Sequence, residues 1–166
     1  MNLNHKMVYK KTVGQSLVEV IVALGIVVIL AISLVTASMV TQKTSRAAKN
    51  NTQATKLVQE NLEQIRVFRD RKGYAELTDR TCSYLTYSDP DPGNWTLSAC
   101  ISVPPPELIQ GEIITMNNTR FERRIAIAID TTYPLYPKKL VTVTVNWQES
   151  GANRFVSGYT YLAPSL

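Results

Sequence analysis

The sequence predicts an α+β protein, with one long N-terminal helix laid on a C-terminal antiparallel sheet. Three observations carry this expectation. From Leu17 to Val40 the chain is apolar apart from one acid and a few hydroxyls. Residues 41–72 contain neither proline nor glycine. Beyond residue 110, apolar and polar residues alternate in several runs separated by turn-forming residues.

The first element is the apolar run. It is long enough to cross a hydrocarbon core as a helix, which takes about 20 residues. Glu19 sits near its start, and a charged, unpaired carboxylate in lipid costs about 3 kcal/mol. A partner or a function is therefore expected for it. Basic residues lie on both sides of the run: Lys6, Lys10 and Lys11 before it, Lys43, Arg46 and Lys49 after it. Charge alone leaves the membrane orientation open.

The segment Gly14-Gln15-Ser16-Leu17-Val18-Glu19-Val20-Ile21-Val22-Ala23-Leu24, preceded by Lys10-Lys11, resembles the processing and anchoring segment of type IV prepilins and type II secretion pseudopilins. The resemblance is specific from about Lys10 to Val35 and architectural beyond. It implies that residues 1–14 are a leader removed by prepilin peptidase, which would cut between Gly14 and Gln15 on the cytoplasmic side. The new Gln15 terminus is the expected N-methylation position, although most of the family begins with Phe or Met. The apolar helix stays in the mature protein, unlike a secretory signal, whose apolar region is discarded. The resemblance also implies that Glu19 meets the N-terminal amine of a neighbouring subunit when helices stack in a fibre. Two charges paired in low dielectric offset each other's desolvation, and losing one strands the other.

After the apolar run the helix is expected to continue. Thr41 to Asn51 is polar nearly all round, which suits a stretch between membrane and head. Apolar residues fall at Ala47, Ala48, Ala54, Leu57, Val58, Leu62, Ile65, Val67 and Phe68, and from Leu57 onward they mark one stripe at mostly helical spacing. Gly73 follows the basic turn Arg69, Arg71, Lys72 and reads as a C-cap. A helix from Leu17 to Lys72 spans about 84 Å at 1.5 Å per residue, the stem of the pilin-like lollipop that the resemblance implies. The expected division is thus 1–14 leader, 15–40 transmembrane and assembly helix, 41–72 amphipathic continuation, and 73–166 exported head. Many major pilins kink this helix at a proline; here the first proline is Pro90, and a minor pilin is the closer likeness.

Cys82 and Cys100 are the two cysteines, and an even count in an exported domain reads as one disulfide. Between them Asp89-Pro90-Asp91-Pro92-Gly93-Asn94 is a turn signal; Asp89 and Asp91 read as a solvated acidic turn, with a calcium site as the alternative. The single histidine, His5, falls in the leader, so a zinc cluster or a Cys–His nucleophile has no basis in the head. With no glycine-rich phosphate loop and no recognisable carboxylate pair either, no enzymatic activity and no cofactor are expected.

The sheet is expected to have four or five strands. Gly111–Met116 and Thr119–Arg124 flank Asn117-Asn118, a hairpin signal. Ile125–Ile129 and Leu140–Trp147 alternate cleanly, and Phe155–Leu162 more loosely. Pro104–Pro106, Tyr133–Pro137 and Glu149–Asn153 are the expected connections. The last segments are similar, in pattern alone, to the C-terminal half of fibre-initiating minor pilins.

The net charge of +5 comes from 18 basic and 13 acidic residues. Without Lys6, Lys10 and Lys11 of the leader, 15 basic residues remain, and the balance falls to +2. The high pI is therefore weak support for a nucleic-acid partner. Arg120, Arg123, Arg124, Lys138 and Lys139 could form a basic patch, but charges flanking strand ends are the simpler reading. Three functional readings follow. The first is a structural subunit, by the resemblance a minor pilin, of a type IV pilus; the second is a minor pseudopilin of a type II secretion system. The third is a membrane-tethered adhesion or DNA-binding domain. The resemblance implies as partners other pilin or pseudopilin subunits, the peptidase/methyltransferase, an inner-membrane assembly platform and lipid. The N-terminus would be cytoplasmic and the head extracytoplasmic.

Overall fold

The computed structural model describes residues 13–87, 89–103, 108–130 and 138–164. The helix is one element, α1 (Val13–Lys72). It stops at Gly73, whose φ of 101° lies in the left-handed region that glycine enters without a Cβ penalty. The Gly73 N–H donates to the Arg69 carbonyl at 2.8 Å, so an otherwise orphaned last-turn acceptor is satisfied. Eight strands follow among the described residues: β1 (Arg80–Thr86), β2 (Thr96–Ala99), β3 (Ile101–Val103), β4 (Leu108–Gln110), β5 (Glu112–Met116), β6 (Thr119–Asp130), β7 (Lys138–Glu149) and β8 (Ala152–Leu162).

The chain divides into two compact units between Arg46 and Ala47. In the first, α1 is the described structure, and its large apolar side chains are exposed all round. In the second, residues 47–72 of α1 pack on one face of a six-stranded antiparallel sheet with the order β2-β1-β6-β7-β8. β5 pairs with the same edge of β6 as β1, and β3 and β4 form a separate antiparallel pair.

Six strands exceed the four or five expected. The surplus comes from residues 80–99, where the sequence predicts a turn at Asp89–Asn94 and no strand, and which fold as β1 and β2. β1 buries just Ser83 and Leu85, and β2 is four residues long; so little alternation carries no usable period. By contrast, the runs on either side of Arg124 fuse into a single strand, β6. Two hairpins, β5–β6 and β7–β8, use two-residue turns with positive φ at each central position: Asn117 (48°) with Asn118 (65°), and Ser150 (51°) with Gly151 (80°). Such turns match the right-handed twist of the strands they join. The segments Pro104–Pro106 and Tyr133–Pro137 lie outside the described residues.

Ala54, Leu57, Val58, Ile65 and Phe68 of α1 meet Leu85, Phe121, Ile125, Ile127, Val141, Val143, Val145, Trp147 and Leu162 in one core. Burying side chains of this size contributes about 1.5–3 kcal/mol each. Val67, expected on the stripe, is exposed; the buried face instead includes Asn61. Gly158 of β8 sets the closeness of the packing: a Cβ there would fall 2.7 Å from Val58 Cγ1. At the hairpin end, Asn50 Nδ2 donates to Glu149 Oε1 at 3.2 Å, and Thr119 Oγ1 donates to Asn50 Oδ1 at 3.4 Å. One helical side chain thus ties down both hairpins.

Candidate assembly segment and head surface

Gly14 and Gln15 lie in the first turn of α1, ahead of Glu19 on the same helix. From Leu17 to Val40 the large apolar side chains are between 53% and 74% exposed. This helix is long and apolar enough to cross a membrane. Such a surface needs lipid or other apolar helices around it. Two of its hydroxyls are satisfied within the helix: Ser33 Oγ donates to the Ile29 carbonyl at 2.8 Å and Thr36 Oγ1 to the Ile32 carbonyl at 2.9 Å. Back-bonding of this kind lets a hydroxyl sit in an apolar medium. Among the described residues Glu19 has no such partner. It is exposed, and it is the one ionisable side chain between Lys11 and Lys43. A cation supplied from outside this helix is the chemical complement of that position.

In the head, Cys82 and Cys100 are joined, with their Cα atoms 5.5 Å apart. The bridge closes the end of the β1–β2 ladder, where the Cys100 N–H also donates to the Cys82 carbonyl at 3.4 Å. The acidic turn between them is built from its own donors. Asp89 accepts from the Asp91 N–H at 2.8 Å and from Asn94 Nδ2 at 2.9 Å, and Asp91 accepts from the Gly93 N–H at 2.9 Å. Trp95 Nε1 donates to the Asp89 carbonyl at 2.8 Å. These carboxylates organise the loop, and among the described residues no three-ligand metal cluster forms.

The basic residues singled out as a patch, or as charges at strand ends, are dispersed. Arg123 is 1% exposed in the middle of β6, on the core side of the sheet. Its Nε donates to Glu112 Oε2 at 2.9 Å, its Nη2 donates to the Tyr87 hydroxyl at 3.0 Å, and its guanidinium lies 5.4 Å from the Tyr87 ring centroid. Arg124, on the opposite face, donates through Nε to Glu122 at 2.9 Å. Lys139 is 7% exposed; its Nζ donates to the Tyr74 carbonyl at 2.7 Å and sits 3.9 Å from the centre of that ring. Burial holds the Lys139 ammonium below the usual lysine pKa and pushes the Tyr74 phenol up. Arg120 and Lys138 remain at the surface. Strand parity carried the missed signal: Phe121, Arg123 and Ile125 share one face, and Glu112 stands directly opposite Arg123.

The solvent face of β8 was also not anticipated. Phe155 and Tyr159 are 70% and 69% exposed there, alongside Tyr161. No family model, no curated protein and no solved structure matches this chain.

Proposed function

We propose that this chain is a structural subunit of a type IV pilus, of the minor pilin kind, assembled by packing its apolar N-terminal helix among those of other subunits. On this reading, prepilin peptidase cuts between Gly14 and Gln15, and Glu19 pairs with the amine of a neighbouring subunit's Gln15. The observation that carries the proposal is Glu19, a lone ionisable side chain on an apolar helix that is exposed on every side. An incidental anchor has no use for an acid there, because removing it would ease insertion. The disulfide supports an extracytoplasmic head, since such bonds persist in oxidising compartments. The function proposed is structural and not catalytic. A pseudopilin of a type II secretion system shares this physics, and the neighbouring genes would separate the two.

The test compares Glu19→Ala and Glu19→Gln with wild type, measuring protein extracted from membranes against protein in sheared surface fibres. The expected result is normal membrane content and head stability, with the fibre fraction sharply reduced for Ala. The mature N-terminus in fibres should be Gln15 or its cyclised form. Equal fibre fractions for all three proteins, or fibres that begin at Met1, would overturn the proposal and leave a tethered adhesion or DNA-binding domain as the better reading.

A further inference from the structure

We propose that β8 pairs, antiparallel and about a two-fold axis at Gly158, with β8 of a second copy of this chain. Among the described residues β8 is hydrogen-bonded to β7 alone, so its other edge carries unpaired backbone groups. Its register with β7 is unbroken from Ala152 to Leu162. Natural sheets protect such an edge with charge, proline, a bulge or brevity. β2 uses brevity. From Phe155 to Leu162, β8 has no acidic or basic residue, no proline and no register shift.

The free backbone groups can be assigned. Ser150 and Gly151 form a two-residue turn, so Glu149 and Ala152 are its closing, mutually hydrogen-bonded pair. Bonded and non-bonded pairs alternate along an antiparallel ladder. Phe155, Ser157, Tyr159 and Tyr161 therefore direct their N–H and C=O groups away from β7. These same residues place their side chains on the solvent face, where the Tyr159 and Tyr161 rings meet edge to face at 6.3 Å.

The sequence of β8 is complementary to itself in the register centred on Gly158. Phe155 lies opposite the partner's Tyr161, and Ser157 opposite the partner's Tyr159. All are outward-facing positions, so the pairing makes about eight backbone hydrogen bonds and two aromatic pairs. On the opposite face Gly158 meets the partner's Gly158, adding no bulk where Val58 and Leu62 already sit closest. Electrostatics favours a second copy: a strand uncharged from Phe155 to Leu162 meets no like charge in itself. A two-fold contact closes on itself and cannot propagate a fibre. The inference is thus independent of the assembly proposal; in a fibre it would join heads of separate filaments.

The test uses the full chain in detergent, with Ser157→Cys and Tyr159→Cys made separately, tagged differently and oxidised together. The Cα atoms of a hydrogen-bonded pair lie about 5.5 Å apart, within disulfide reach. Expected is a mixed 157–159 cross-link several-fold faster than either like pair. Tyr159→Lys should abolish the dimer seen by light scattering, whereas Thr96→Lys on β2 should leave it. Equal rates for all pairs, a faster like pair, no cross-link, or a dimer lost through Thr96→Lys instead would overturn the proposal. Binding of an unrelated extended peptide to β8, with no dimer of this chain, would overturn it equally.

Discussion

Arg123 and Glu112 stand directly opposite each other across the β5–β6 ladder, and the buried guanidinium directs two of its nitrogens at one carboxylate oxygen. Among the described residues Arg123 Nη1 is buried without a hydrogen-bond partner, and Glu112 and Tyr87 supply the contacts that hold this charge inside the head.

Removing one member should therefore cost more than removing both. Glu112→Ala is expected to lower unfolding stability by about 3 kcal/mol, the scale for stranding a buried charge. Arg123→Met combined with Glu112→Leu should recover most of that loss. Denaturant unfolding followed by tryptophan fluorescence reads both, and a double variant no better than the single one would refute this account.

Gly158 should tolerate no side chain. Gly158→Val drives a methyl into Val58, and overpacking of this kind costs about 1–3 kcal/mol. Combining it with Val58→Ala should relieve part of the strain. A neutral Gly158→Val variant in thermal unfolding would show that α1 shifts freely over β8.

The Cys82–Cys100 bond closes a loop with a sequence separation of 18, and its loss through Cys82→Ser should cost about 3 kcal/mol. Reduction of the wild type should produce the same shift in denaturant midpoint. Non-reducing peptide mapping of surface protein should find the two cysteines linked.

Alkaline stability should carry the signature of the Lys139–Tyr74 contact. Lys139 holds its proton less tightly folded than unfolded, so stability rises with pH as the window just below 10.5 is crossed. Tyr74 holds its proton more tightly when folded, so stability falls once pH passes 10.0. Lys139→Met should flatten the rising limb and Tyr74→Phe the falling one, read as slopes of unfolding free energy against pH. Unchanged slopes in both variants would separate these groups from the alkaline response.

Local chemistry was legible wherever a few adjacent residues decide the backbone. Gly73 ends α1, Asn117-Asn118 turns the β5–β6 hairpin, and the alternation of Leu140 to Trp147 fixes which face of β7 is buried. Each depends on φ preference or on a period of two, and both are written in consecutive residues. The Asx turns at Asp89 and Asp91 belong to the same class.

Pairing between distant segments was decided by tertiary structure alone. Ser83 donates to the Ile125 carbonyl across a separation of 42 residues, which places β1 beside β6; nothing in Arg80–Thr86 specifies that neighbour. Arg123 reads from composition as a surface charge, yet its parity on β6 turns it inward, where Glu112 and Tyr87 make burial tolerable. The exposure of Phe155, Tyr159 and Tyr161 follows from the position of β8 at the end of the sheet, since a strand's edge is defined by the strand that does not flank it. The helix, its lone acid, the turns and the strand faces were written in the residues themselves, because those are short-range steric and solvation effects. The fold determined the sheet order and the fate of each charge, because desolvation depends on neighbours the chain brings together only when it closes.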